Sequence, residues 1–460
     1  MPRPHPLTPA PDGAPLDRGT GRPFTPGSFT WLLGIEDTCV YPRPGFGMNP
    51  LDELALTGHR EDWRADLESA SALGAQAIRY GADWPLVATA PGVYDWSSLD
   101  ERVAYAHSLG LSIVADLVHY GTPEWLDGSF ADPSYPEAVA DFAAAYAAHF
   151  AGVADHVTPF NEPLTTASFC GMRGVWPPGL SGWEGWVKVV VNICDGIQRS
   201  VRRVRSANPD AVIVHVEASS LYSAGSPDLE AEASWLNRLG MLPTDLVLGR
   251  VTPGSRNYRW LCEHGADVAQ LHRLADDGVD LDIMGVNYYP DLSPRLLQPT
   301  EDGSRQIATN AWAEGLEESL RRFAGRYGLP MVVTETSIEG SDDLRSSWIS
   351  ASIERIGSLV DQGMDIRGWT WWPLTDFVDW SYASGGRNVE EFAIPDDVVD
   401  RRTAADNLDP YLRRMGLVRL EEGPDHRMAR VPTPAADRYH DVASTSDPHD
   451  DATAALPQGS

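Results

Sequence analysis

Short apolar runs alternate with longer amphipathic stretches from about residue 30 to residue 420. Eight runs have the β-branched or aromatic bias of a buried strand: TWLLGIE (30–36), AQAIRY (75–80), SIVADLVH (112–119), HVTPFN (156–161), AVIVHVE (211–217), LDIMGVN (281–287), MVVTE (331–335) and GWTWW (368–372). The helical patterns before the second, third and seventh run end in glycine: LESASALG, VAYAHSLG and FAGRYGLP. Glycine there stops a helix through a left-handed cap. Eight strands separated by helices predict an α/β protein with a single (β/α)8 barrel over residues 26–420. A doubly wound open sheet is the alternative. No strand is followed by G-x-G-x-x-G or G-x-x-x-x-G-K-[ST], which removes its usual nucleotide-binding versions. Residues 1–25, rich in Pro and Gly, and the acidic stretch 421–460 lack periodicity and are predicted to be flexible tails.

Charge narrows the partners. The 460 residues carry 36 basic and 66 acidic side chains, a net charge of −30. Such a chain lacks the basic face that displaces counterions from nucleic acid, and it is repelled by anionic membranes. No run of eighteen apolar residues predicts a transmembrane helix. The opening MPRPHPLTPAPDGAPLDRG has no apolar core of a secretory signal. Cys39, Cys170, Cys194 and Cys262 are scattered, with neither zinc-ligand spacing nor a disulfide framework, so reduced thiols and a cytoplasmic location are expected. Nothing in the sequence bears on oligomeric state.

In a parallel barrel the C-terminal strand ends carry the chemistry, because the loops that follow converge there. Glu36 and Asp37 close the first strand, Arg79 the second, His119 the third, and Asn161 with Glu162 the fourth. Glu217 closes the fifth, Asn287 with Tyr288 and Tyr289 the sixth, Glu335 the seventh and Trp372 the eighth. A single carboxylate after a strand is commonly a solvated turn residue. Charged groups at end after end point to a site. Strands four and seven can face each other across the mouth, which suits glycoside hydrolysis by an acid and a nucleophile about 5–5.5 Å apart. No metal or cofactor is expected, since no H-x-x-x-H or comparable ligand spacing occurs.

These residues carry a resemblance. Thr158-Pro159-Phe160-Asn161-Glu162-Pro163 resembles the T-F-N-E-P motif of glycoside hydrolase family 1, the β-glucosidase family, and Val333-Thr334-Glu335 resembles the start of its I-T-E-N-G motif. Gly285-Val286-Asn287-Tyr288-Tyr289 is similar to its G-x-N-Y-Y strand end. Trp372-Pro373-Leu374-Thr375-Asp376-Phe377-Val378-Asp379-Trp380 is similar to its W-S-L-x-D-N-x-E-W segment. Arg79 and His119 fall where the family keeps an Arg and a His. The resemblance spans roughly residues 30–420 and implies a retaining β-glycosidase acting on a small-molecule or oligosaccharide β-glycoside, with a transglycosidase or a non-catalytic carbohydrate-binding barrel as alternatives.

By the same resemblance, Glu162 is the acid/base and Glu335 the nucleophile. Asn161 bonds the sugar 2-hydroxyl, Tyr289 holds the nucleophile, and Arg79 sits against it and keeps it ionised. Glu162 is then expected to have the higher pKa. His119, Trp372, Asp379 and Trp380 line the sugar subsite. Of sixteen tryptophans, Trp63, Trp348 and Trp369 are expected in the core, while Tyr120 and Tyr288 suit either place.

The chain departs from the family on the sugar-binding side. The S-Y-Q-x-E-G of the first strand becomes Gly34-Ile35-Glu36-Asp37-Thr38 and the Asn-Gly after the nucleophile becomes Thr336-Ser337. His-Trp becomes His119-Tyr120, the Glu that grips the 4- and 6-hydroxyls becomes the shorter Asp379, and Pro373 replaces a Ser. Glu36 or Asp37 is expected to take over part of the missing Gln's work, with Glu217 a second candidate contact. The purpose of Gly385–Asp409 is open.

Overall fold

The computed structural model describes residues 22–444 except 302, 391, 393, 424 and 425. All eight apolar runs form strands: β1 (Thr30–Gly34), β2 (Ala77–Gly81), β3 (Ser112–Asp116), β4 (His156–Thr158), β5 (Val212–Ala218), β6 (Ile283–Asn287), β7 (Met331–Thr336) and β8 (Ile366–Trp371). Neighbours pair in parallel, and β1 bonds to both β2 and β8, so the sheet closes into a barrel. The strands read as continuous apolar runs because both faces are covered. Leu32, Ala77, Val114, Val214, Val216, Ile283 and Val332 fill the interior, while Trp31, Leu33 and Ile78 pack outward in the larger core shared with the helices.

Three strands stop two or three residues earlier than predicted, at Gly34, Asp116 and Thr158. Glu36, His119 and Glu162 therefore sit on loops, free of the strand's alternation. Gly34 has a packing reason: a Cβ there would lie 1.8 Å from Cε3 of Trp372, whose ring covers the end of β1.

The predicted tails are corrected where they are described. Phe24 belongs to the inner barrel cluster, set edge-on against His156 with centroids 5.6 Å apart. Beyond residue 420, Val418–Glu422 pairs antiparallel with Met428–Pro432, and Pro434–Ser444 is a helix. Its buried face is Ala435, Ala436, Tyr439 and Val442, a helical spacing that the acidic, proline-bearing composition masks. Tyr439 stacks on Trp369, with centroids 6.0 Å apart, and donates to the Leu32 carbonyl at 3.0 Å. The rest of both predicted tails, 1–21 and 445–460, lies outside the described residues. Tyr439→Ala is expected to lower unfolding stability by about 3–5 kcal/mol through the cavity left beside Trp369. Urea denaturation measures this, and KM should not move.

Among the described residues, no helix is long and apolar enough to cross a membrane. Trp63, Trp348 and Trp369 are buried as expected, and so is Tyr288, whose hydroxyl donates to the Trp312 carbonyl at 2.9 Å.

Candidate active site

At the C-terminal mouth of the barrel lies a cavity of about 440 Å³ whose wall includes Glu36, His119, Glu162, Glu335, Trp372 and Trp380. Glu335, near the end of β7, is buried. One carboxylate oxygen accepts from Arg79 Nη1 and the other from the Tyr289 hydroxyl at 2.7 Å. Glu162 stands at φ 47°, in the left-handed region, directly before Pro163 opens the helix Pro163–Ala167. Proline disfavours the right-handed helical conformation in the residue before it, so the N-E-P sequence itself lifts Glu162 out of the helix. Oε1 of Glu162 accepts from Asn287 Nδ2 at 2.7 Å, and Oε2 accepts from the Tyr120 hydroxyl at 2.6 Å.

A hydrogen-bonded floor joins the two acids. Arg79, fully buried, donates through Nη2 to Asp116 and, at 2.7 Å, to Asn161 Oδ1, which also receives Asn287 Nδ2 at 3.2 Å. Thr334 donates to Asn287 Oδ1 at 2.7 Å, which fixes the sense of that amide. With Oδ1 of Asn161 taken, its Nδ2 faces His119 Nε2 at 3.1 Å. Asn161 therefore lies in the floor with its Oδ1 engaged by Arg79 and Asn287.

Burial pushes the Glu335 carboxyl up to about 8. Arg79 and His119 pull it down, as does the bond from Tyr289, while the charge of Glu162 adds to the rise. Arg79 and Tyr289 thus act in the direction expected of them, against the burial of the carboxyl. Loss of water around a carboxylate works against both.

His119 joins a second buried cluster. Its Nδ1 lies 2.7 Å from Asp37 Oδ1 and 3.0 Å from Asp116 Oδ2. Burial opposes the charge on His119, but Asp37 and then Asp116 overcome it and hold its pKa well above the usual imidazole range. Burial raises Asp37 to about 6. These three side chains are the one group among the described residues with ligand atoms close enough for a metal ion. The guanidinium of Arg79 on Asp116 and the imidazole N–H already meet that negative charge.

The two first-strand candidates part company. Glu36 faces the cavity, its Oε2 accepting from Trp372 Nε1 at 2.9 Å and its Oε1 from the Thr38 backbone at 3.1 Å. Asp37 turns the other way, behind His119 and against Gly81, where a Cβ would come 2.3 Å from Asp37 Oδ2. The expected sugar contact from Asp37 is thus corrected: adjacent residues on an extended loop point to opposite sides, and the space left by Gly81 takes the second one. Glu217 is likewise no cavity contact, being fully buried behind the wall.

Trp372 lies parallel to the His119 ring, centroids 5.5 Å apart, and Trp380 stands edge-on to Tyr120 at 5.3 Å. Asp379 reaches the wall with its carboxylate already engaged. Oδ1 accepts from the Ser381 backbone at 3.0 Å, and Oδ2 pairs with Arg402 at 3.0 Å and Arg413 at 3.7 Å. The stretch Gly385–Asp409, without a role in the sequence reading, supplies Glu390 and Phe392 to the wall and Arg402 to Asp379. Sequence reasoning passed over Tyr120 and Asn287 as partners of Glu162. The only signal was adjacency to His119 for Tyr120 and, for Asn287, its place in the G-V-N-Y-Y strand end.

No family model matches the chain. The β-galactosidase of Saccharolobus solfataricus is 24% identical over 315 residues, 60% of each chain, so the match spans less than two thirds of that enzyme. The β-glucosidase of Agrobacterium sp. is 23% identical over 378 residues, 75% of this chain and 81% of that one. β-Glucosidase A of Thermotoga maritima is 21% identical over 406 residues, 80% and 86% of the two chains. Among solved structures, the family 1 β-glucosidase from Thermotoga maritima superposes with a TM-score of 0.72 at 16% identity, over 91% of this chain and 98% of that one. In sequence this chain is similar to named β-glucosidases and β-galactosidases, and in barrel architecture it is similar to a family 1 β-glucosidase.

Proposed function

We propose that this protein is a retaining β-glycosidase that hydrolyses small β-glycosides without a metal or cofactor. The observation that carries the reading is the joint presence of Glu162 and Glu335 in one cavity, linked through Asn287, Asn161 and Arg79. Glu162 gives its proton to the glycosidic oxygen while the Glu335 carboxylate attacks the anomeric carbon, and the bond to the leaving group breaks as the glycosyl ester forms. Water then gives a proton to Glu162 and attacks the same carbon, releasing sugar of the original β-configuration and restoring both acids. Arg79 and Tyr289 hold the nucleophile, and Asn161 holds Arg79. Glu36, His119, Trp372 and Trp380 grip the sugar, the two indoles with their flat apolar faces. Relatives named both as β-glucosidases and as β-galactosidases support the reaction and leave the sugar open. The β-glucosidase from Thermotoga maritima is solved in complex with castanospermine, which supports a small-molecule ligand. Four free cysteines, three of them buried, support a reducing, cytoplasmic setting.

The test is the anomer that forms first. Proton NMR of an aryl β-glycoside digest is expected to show the β-sugar before mutarotation. The α-anomer appearing first would overturn the retaining mechanism, and no product from a panel of β-linked sugars would leave a binding role. Within that panel, Glu36→Gln is expected to lower kcat/KM by about 10-fold or more, as for a lost charge-assisted hydrogen bond to a hydroxyl. Asp37→Asn should lower it less, because Asp37 acts only through His119. Equal losses in the two variants would contradict that division of labour.

A further inference from the structure

Glu217 is the buried acid that the reaction does not use. It sits near the end of β5, with no exposed surface, and Oε1 accepts from its neighbour Ala218 at 2.8 Å and from the backbone N–H of Leu164 at 3.3 Å. Oε2 has no hydrogen-bond partner among the described residues. Leu164 is the second residue of the helix Pro163–Ala167, whose N-cap position is held by Glu162. A short acceptor side chain at an N-cap, such as Asp or Ser, accepts from the free N–H groups of the first turn, which otherwise need another partner. Here Pro163 has no N–H, and the N–H of Leu164 is already taken by Glu217. Glu162 makes no such cap, and its carboxylate stays in the cavity with Tyr120 and Asn287.

We infer that Glu217 is a positioning residue for the acid/base: by anchoring the N–H of Leu164, two residues after Glu162, to the end of β5, it holds the turn that aims the Glu162 carboxyl at the leaving-group oxygen. The inference rests on the proposed role of Glu162. An uncharged side chain is sufficient, since only an acceptor oxygen is needed. Burial, with the charge of Glu162 adding to it, raises the Glu217 pKa well above the carboxylate range and so favours the neutral acid, which still accepts through its carbonyl oxygen.

The experiment compares Glu217→Gln, Glu217→Asp and Glu217→Leu on aryl β-glycosides whose leaving groups run from 2,4-dinitrophenol, which departs unaided, to phenol, which needs a proton. Glu217→Leu is expected to lower kcat/KM for the phenyl glycoside by about 10–100-fold, part of what a general acid contributes, and for the dinitrophenyl glycoside by less than about 3-fold. Glu217→Gln keeps an acceptor oxygen and should stay within about 3-fold of wild type throughout. Glu217→Asp, which withdraws the acceptor but alters the packing least, should show the same selective loss, and it carries the test if the leucine variant fails to fold. In a Glu162→Gln background, Glu217→Leu should add nothing further. A uniform loss across leaving groups, or none, overturns the inference and leaves the glycosidase reading intact. Failure of wild type on every aryl β-glycoside overturns both.

Discussion

Glu335→Gly is expected to lower kcat on aryl β-glycosides by on the order of 10⁵-fold, since the glycosyl ester forms on Glu335. Added sodium azide should restore turnover. Azide takes the space vacated by the side chain and attacks the anomeric carbon from that face, and Glu162 supplies the proton to the departing oxygen. The product is then the α-glycosyl azide, inverted because only one displacement has occurred. Its recovery assigns Glu335 as nucleophile and the sugar that responds names the subsite. A variant that retains more than about a tenth of its activity excludes Glu335 from the covalent step, because losing an essential nucleophile costs far more than that. Rescue that gives the β-azide would place the nucleophile elsewhere.

The second large effect is expected at Arg79. Its guanidinium reaches Asp116, Asn161 and Glu335 at once with no exposed surface, so Arg79→Met removes the cation that bridges two buried carboxylates and leaves only His119 beside Asp116. Breaking a buried ion pair from one side costs about 3–5 kcal/mol. The loss has a direction in pH. Glu335 already stands at about 8, above its unfolded value near 4.5, so the folded state binds the proton more tightly. A carboxyl raised in this way lowers stability as pH climbs from the unfolded value through the folded one. Without Arg79 the Glu335 value rises further, so thermal unfolding should show a larger deficit against wild type at pH 8 than at pH 5. Activity follows the same group. The acid limb of kcat/KM, which reports the free enzyme, should move to higher pH in the variant, with kcat/KM at pH 7 down by at least about 100-fold as a preorganised charge is lost. Equal destabilisation at pH 5 and pH 8 would show that Arg79 acts by packing alone.

Eight strands and the two catalytic candidates are legible in the amino-acid sequence because each depends on a few adjacent residues. A strand covered on both faces must be a continuous apolar run, and a helix must stop, often at glycine. Glu162 and Glu335 follow from that, since the polar residue that ends such a run enters the mouth of a closed barrel. Pro163 also keeps Glu162 out of the right-handed helical conformation, whereas its left-handed φ is not one that a following proline favours. The C-terminal helix is legible in principle, through Ala435, Ala436, Tyr439 and Val442, but its acidic composition outweighs the spacing.

The tertiary structure alone decided the rest, and each case turns on closure of the ring. Whether Glu36 or Asp37 faces the cavity depends on where Trp372, 336 residues away, and Gly81 leave room. Asp379 has the sequence context of a sugar contact, yet Arg402 and Arg413 come round to engage it. Glu217 serves the helix after β4 rather than the cavity, because neighbouring strands in a parallel barrel deliver their loops side by side. The sequence determined which residues arrive at the mouth of the barrel. The contacts made across it determined which way each one points, because a loop side chain has no periodicity to orient it and takes the direction in which a partner meets its charge.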